Sequence, residues 1–126
     1  MKYPALITVL LLTSMASAQD RAFHLPFRDE NGLTLLDLRV NEKPAVLLLD
    51  TGATTTLFAN AGLVEIRLAE HSVIAVHANE LGRFTSTTRR NMALLGISGI
   101  LGQDFLHKFK SVRIDYVNRV LELEPR

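Results

Sequence analysis

A continuous apolar segment that ends abruptly at an acid is the sequence feature that most limits the fold. Residues 45–49 read AVLLL, and Asp50, Thr51 and Gly52 follow directly. A short apolar run bounded by turn residues is typical of a strand that is buried on both faces. A carboxylate at the end of such a strand is costly unless it is hydrogen-bonded or paired. The sequence therefore predicts a core strand that delivers Asp50 to a place where its charge is held.

Most of the remaining chain alternates apolar and polar residues, as half-buried strands do. The alternating or apolar segments are residues 36–40, 64–68, 73–76 and 92–95, with a closing hairpin at 112–116 and 120–123. One helix is predicted at residues 104–110, where Phe105, Leu106 and Phe109 share a face and Asp104 caps the start. We predict an all-β domain, a small closed barrel or sandwich, with one short C-terminal helix.

The first eighteen residues have the pattern of an export signal. Lys2 precedes the apolar segment 5–12, and residues 16–18 read ASA, the small-x-small form of a signal peptidase site. The apolar segment is too short to cross a bilayer. We expect cleavage after Ala18, a single domain over residues 19–126, no stable membrane anchor and a periplasmic or secreted location. An anchor that is never cut is the alternative.

Charge and cysteine usage exclude several classes of function. Without Lys2, the basic residues of the chain number 13, as the acidic residues do. A balanced charge argues against a nucleic-acid partner, for which a basic excess is expected. The chain has no cysteine, so disulfides, thiolate metal sites and a cysteine nucleophile are excluded. We expect no metal and no cofactor.

An acid placed like Asp50 gains a function if it faces a copy of itself. Two carboxylates that close cannot both ionise, so the pair holds one proton and offers an acid and a base in the same site. Gly52 permits a tight backbone around the carboxylate, and Ala53 is small enough for another chain to approach. Such a pair can activate water and protonate a leaving amide nitrogen.

Three segments together resemble the retropepsin-like aspartic proteases. They are residues 45–58 (AVLLLDTGATTTLF), residues 99–109 (GILGQDFLHKF) and the closing segments 114–116 and 121–123, in the same order as in bacterial members of that family. The resemblance covers about residues 33–124. It implies one Asp-Thr-Gly per chain, a homodimer, and hydrolysis of a peptide or protein substrate by an exported, single-domain enzyme.

The resemblance also implies the roles of individual residues. Asp50 becomes the catalytic acid and base in an active-site loop with Thr51, Gly52 and Ala53, and Thr51 would grip its counterpart in the second copy. The loop would be supported from below by Ile100, Leu101 and Gly102. A substrate-covering flap would be a hairpin around Asn79, Glu80, Leu81 and Gly82 that returns through residues 84–88.

Two positions depart from the viral members of the family. An acid and an arginine that brace the viral dimer correspond here to Thr54 and Gln103. The resemblance therefore leaves the strength of the dimer open.

Two other functions remain open at this point. The first is a catalytically silent peptide-binding or assembly module of the same fold. The second is a metal-dependent hydrolase that uses the four histidines, His24, His71, His77 and His107, although their spacing lacks a helical His-x-x-x-His pair. Ser98 does not have the spacing of a nucleophile elbow. The acids Asp37, Asp104 and Asp115 are each explained by a surface, cap or turn position, so a second Asp50 is the preferred partner.

Overall fold

The computed structural model describes residues 21–83 and 85–126, and this part of the chain is built mainly from strands. In chain order they are β1 (Phe23–Glu30), β2 (Leu33–Val40), β3 (Lys43–Leu49), β4 (Leu57–Phe58), β5 (Gly62–Ala69), β6 (Ser72–Glu80), β7 (Ile97–Leu101), β8 (Phe109–Asp115) and β9 (Val120–Pro125). Two α-helices, α1 (Ser86–Leu94) and α2 (Gln103–Leu106), and a 3-10 helix at Leu81–Arg83 complete it. The proposed export signal, residues 1–18, lies outside the described residues.

Six strands close into a barrel. The strand order is β3-β7-β4-β6-β5-β2-β1-β9-β8, and an additional pairing of β3 with β2 closes the first six strands. Closure removes the free edges of those strands. The predicted all-β class with a closed barrel is therefore confirmed, and β1, β9 and β8 extend it as a sheet that ends at β8.

The predicted core strand lies in the barrel as β3. It pairs with β2 in antiparallel register, Leu47 opposite Leu36, and with β7 in parallel register, Leu49 opposite Leu101. All four of these leucines are buried in the main core. Hydrogen-bonded neighbours on both sides explain why the run is continuously apolar rather than alternating.

The strands separate two apolar cores. Leu47 and Leu49 point into the barrel, whereas Val46 and Leu48 belong to a second cluster on the outer face. Successive side chains of a strand point to opposite faces, so Asp50, the next residue, follows Leu48 to the outer side.

Helix α1 was not predicted, and the strand expected from residues 92–95 is wrong. Thr85 caps α1, since its hydroxyl oxygen accepts a hydrogen bond from the N–H of Thr88 at 3.2 Å. Met92 is the residue that α1 buries, in the second apolar cluster. The run of hydroxyl residues favours a strand locally, and the cap together with the packing of Met92 overrides it.

The C-terminal helix is shorter than predicted. It covers Gln103–Leu106 instead of residues 104–110, because Phe109 already begins β8 and pairs with Pro125. The N-cap is Gly102, so the predicted capping role of Asp104 is also wrong. The closing hairpin is present as β8 and β9.

The hairpin predicted around residues 79–82 is wrong as well. The turn between β5 and β6 lies at Glu70 and His71, and Asn79 and Glu80 are the last residues of β6. Asn79 is fixed there because its N–H donates to the carbonyl of Thr56 at 2.9 Å. Phe84, in the predicted return strand, lies outside the described residues, and the chain is helical from Ser86.

No helix within the described ranges is long and apolar enough to cross a membrane.

Candidate active site

Asp50 lies at the junction of β3 and the loop that leads to β4. Its N–H donates to the carbonyl of Leu101 at 3.0 Å, which continues the β3–β7 pairing by one residue. Its carbonyl accepts the N–H of Ala53 at 3.1 Å and closes a tight turn. The backbone of Asp50 is therefore fixed from the neighbouring strand and from its own loop.

The carboxylate of Asp50 is held by the loop and remains half-buried. Oδ1 accepts the N–H of Gly52 at 2.9 Å. A Cβ at position 52 would lie 3.3 Å from that oxygen, so a larger residue would crowd the carboxylate. Thr51 and Gly52 are exposed, and Ala53 is half-buried. The carboxylate is thus oriented at an accessible edge of the barrel.

The chain after β7 crosses beneath this loop, as the sequence predicts for Ile100, Leu101 and Gly102. The N–H of Gln103 donates to the carbonyl of Ala53 at 2.8 Å. A Cβ on Gly102 would lie 2.7 Å from the carbonyl oxygen of Thr55 and 2.9 Å from that of Ala53. Only a residue without a side chain permits this approach, which explains the glycine at position 102.

A second close crossing lies one strand further along. A Cβ on Gly99 would lie 2.6 Å from the ring of Phe58 and 2.8 Å from the carbonyl oxygen of Leu57. Leu57 and Phe58 form β4, which pairs with β7. The glycines of the segment GILG therefore serve contact between backbones.

Thr56 and Asp104 join the loop to helix α2, and the sequence analysis missed this pair. The hydroxyl of Thr56 donates to Oδ1 of Asp104 at 2.7 Å, and the N–H of Thr56 donates to Oδ2 at 2.9 Å. The N–H of Gly102 donates in turn to the Thr56 hydroxyl oxygen at 3.2 Å. Thr56 is the fully buried polar residue of the described chain. A polar residue directly before an apolar strand is the only local signal of this role.

Gln103 has a role inside the chain rather than across a dimer. Its side-chain amide donates to the carbonyl of Thr51 at 2.7 Å, next to Asp50. The amide therefore stabilises the loop of its own protomer. The position of Gln103 beside the loop agrees with the sequence analysis, and this particular contact was not predicted.

The remaining candidates are dispersed. Oδ1 and Oδ2 of Asp37 accept hydrogen bonds from the guanidinium of Arg28 at 3.0 and 2.8 Å on the surface. Asp115 accepts the N–H of Asn118 in the β8–β9 turn at 3.0 Å. Over residues 21–83 and 85–126, no three side chains of His, Asp or Glu are grouped as metal ligands would be. His71 lies in a turn and His77 in β6, so they do not share one strand.

The residues of the site define a class of arrangement: an Asp-Thr-Gly loop at the edge of a closed β-barrel, crossed from below by a glycine-containing strand. Comparison with known proteins adds one similarity. The structure is similar to that of a retropepsin-like aspartic protease from Rickettsia conorii, with a TM-score of 0.48 and 17% sequence identity. The match covers 81% of this chain and 88% of the other. No protein-family model and no curated protein sequence matches the chain.

Proposed function

We propose that the protein is an aspartic-type endopeptidase that hydrolyses peptide bonds as a homodimer, with one Asp50 from each copy. The observation that carries this proposal is the position of the Asp50 carboxylate. It follows a buried strand, it is oriented by the N–H of Gly52, and it remains half-buried rather than sealed. A carboxylate held rigidly at an accessible edge is suited to acid–base chemistry.

The reaction requires two carboxylates that share one proton. The ionised Asp50 takes a proton from water, and the water oxygen bonds to the carbonyl carbon of the substrate. The protonated Asp50 of the second copy gives its proton to the carbonyl oxygen. When the tetrahedral intermediate collapses, the C–N bond breaks and the nitrogen receives a proton from the dyad. The two carboxylates then hold one proton again.

The substrate in this proposal is a peptide or protein in extended form. An extended chain can hydrogen-bond to exposed backbone, as an added strand does. Thr51 and Gly52 are exposed beside Asp50, and Ala53 adds little bulk. The site therefore offers backbone contacts close to the reacting carboxylate.

Replacement of one acid tests the proposal. Asp50→Asn keeps the shape of the side chain and removes its ability to exchange a proton. We expect kcat/KM for cleavage of an unstructured protein substrate to fall by about 10²- to 10⁴-fold. Asp29→Asn is the matched control, because Oδ1 of Asp29 also accepts the N–H of a turn glycine, Gly32, at 3.2 Å. Activity that survives Asp50→Asn would refute the proposal.

One observation favours a second candidate, a silent peptide-binding module. The segment predicted as a substrate-covering hairpin, Asn79, Glu80, Leu81 and Gly82, is instead a strand end followed by a 3-10 helix. Without a cover from this segment, water has freer access to a bound peptide. Peptide binding that is unchanged in Asp50→Asn, with no cleavage by the natural protein, would establish this candidate in place of the enzyme.

We also propose that residues 1–18 direct export to the periplasm or the medium. The supporting observation is the sequence pattern of Lys2, the apolar segment 5–12 and the ASA at residues 16–18. The mass of the protein recovered from cells should correspond to a chain that begins at Gln19. Recovery of the full-length chain from the membrane fraction would contradict this.

A further inference from the structure

Strand β8 is the open end of the sheet. In the strand order, β3 is closed onto β2, whereas β8 has β9 as its only partner among the described residues. An open edge presents unpaired N–H and C=O groups that can pair with another chain. Strand β8 contains no proline, and its full length from Phe109 to Asp115 is available.

The apolar face of the sheet continues onto this edge. Val112 lies opposite Leu123 and Ile114 lies opposite Leu121, and both leucines are fully buried. Directly opposite residues share a face of the sheet. Val112 nevertheless remains 36% exposed. The face that is covered at β9 is therefore incompletely covered at β8.

The charges on β8 do not protect the edge, because they are compensated by the neighbouring strand. Nζ of Lys110 lies 3.6 Å from Oε1 of Glu124, and a guanidinium nitrogen of Arg113 lies 3.3 Å from Oε2 of Glu122. Natural edge strands often use uncompensated charge to discourage pairing. Strand β8 lacks this protection at both positions.

A groove of about 560 Å³ connects the edge to the candidate active site. It is lined along β8 by residues from Phe109 to Ile114 and on its other side by Thr51 and Gln103. Thr51 is adjacent to Asp50. A chain that occupies this groove would therefore contact both the open edge and the active-site loop.

We propose that the occupant of this edge is β8 of a second copy, in an antiparallel arrangement that continues the sheet across the dimer. This inference rests on the proposed function, since a single chain supplies one Asp50 and the dyad needs two. The amide of Gln103 already contacts Thr51 of its own chain. The open edge beside the loop is then the surface that holds the second copy.

Symmetry places one residue at the centre of this interface. In a two-fold pair of antiparallel strands, the middle residue lies opposite its own copy. Val112 is the midpoint of Phe109–Asp115. Its side chain would therefore contact the same valine of the second copy, on the apolar face. Pairing would cover the part of Val112 that one chain leaves exposed.

This geometry allows a test with two opposite substitutions. In Val112→Asp or Val112→Lys alone, two like charges face each other across the axis. We expect the dissociation constant of the dimer to rise by about tenfold or more, because like charges placed directly opposite are unfavourable. In a 1:1 mixture of the two variants, opposite charges meet. We expect the mixture to regain the dimer, measured by sedimentation velocity, and cleavage activity with it.

Val73 provides the matched control. It is a strand valine of similar exposure, 38%, but β6 is paired on both sides. Val73→Asp and Val73→Lys should leave dimerisation unchanged, alone or mixed. Hydrogen exchange on the unsubstituted protein adds a measurement that needs no variant: the amides of β8 should become protected as the protein concentration rises, and those of β6 should not.

The outcomes separate this inference from the proposed function. Rescue of the dimer by mixing, with no cleavage by any form, supports the interface and refutes the enzyme. Cleavage that depends on Asp50 while the Val112 variants dimerise normally refutes the interface and leaves the enzyme intact. A protein that stays monomeric, without concentration-dependent protection of β8, overturns the interface.

Discussion

Thr56 and Asp104 are 48 residues apart in the chain and are joined by two hydrogen bonds, of 2.7 Å from the hydroxyl and 2.9 Å from the backbone N–H. One residue lies at the end of the Asp50 loop and the other in helix α2. The pair therefore ties the loop to the segment that crosses beneath it. The orientation of Asp50 depends on this tie as well as on its own turn.

Removal of the Thr56 hydroxyl should lower stability. Thr56→Val keeps the shape but leaves the N–H of Gly102 and one oxygen of Asp104 without their partner. We expect the free energy of unfolding to fall by about 1–3 kcal/mol, the cost of unsatisfied buried polar groups. Urea unfolding measures this. Thr54→Val, at an exposed position in the same loop, should change stability little, and an equal loss in both variants would contradict the role of Thr56.

A methyl group at position 102 should disrupt the crossing. In Gly102→Ala the new Cβ meets the carbonyl oxygens of Thr55 and Ala53 at 2.7 and 2.9 Å. Because these are backbone atoms, the loop must move, and we expect a loss of about 1–3 kcal/mol in unfolding free energy. Gly82→Ala is the control, since its Cβ would come no closer than 3.8 Å to any neighbour. Thermal unfolding of both variants compares them, and a stable Gly102→Ala protein would show that the loop yields easily.

Met92 should be the residue through which α1 is held. It is 8% exposed and packs in the second apolar cluster, whereas Leu94 of the same helix is 79% exposed. Met92→Ala should cost about 2 kcal/mol, because it leaves a cavity at the edge of a core. Leu94→Ala should cost little. Unfolding measurements on the two variants decide this, and equal effects would mean that α1 packs differently.

The β8–β9 turn should become less stabilising in acid. The N–H of Asn118, the largest cause, and its side-chain amide both donate to Asp115 and lower the pKa of that carboxyl. A carboxyl whose pKa is lowered by folding adds stability above its unfolded pKa and loses it as the pH falls through the folded pKa.

The comparison of Asp115→Asn with the unsubstituted protein measures this effect. The unsubstituted protein should have the higher Tm at neutral pH, and the difference should shrink as the pH falls below about 4. Glu70→Gln, at a highly exposed position, controls for the change in net charge. A difference that is constant with pH would show that the charge of Asp115 does not stabilise the turn.

The sequence by itself determined the barrel and the place of Asp50 in it. The apolar run 45–49 required neighbours on both sides, and β3 has them in β2 and β7. The alternating segments followed from the two-residue period of a strand, which is a local property. The crossing of residues 100–102 beneath the loop came from the resemblance to a family. The catalytic roles of these residues stay predictions.

Only the tertiary structure decided the helix α1, the turn at Glu70 and His71 in place of a hairpin tip at residues 79–82, and the bonds of Thr56 and Gln103. Each depends on a partner far away in the chain: Met92 on the second apolar cluster, Asn79 on Thr56, and Gln103 on Thr51. Local pattern reports which face of a segment is apolar. It does not report which distant polar group satisfies a buried donor, because that depends on how the strands are ordered in space.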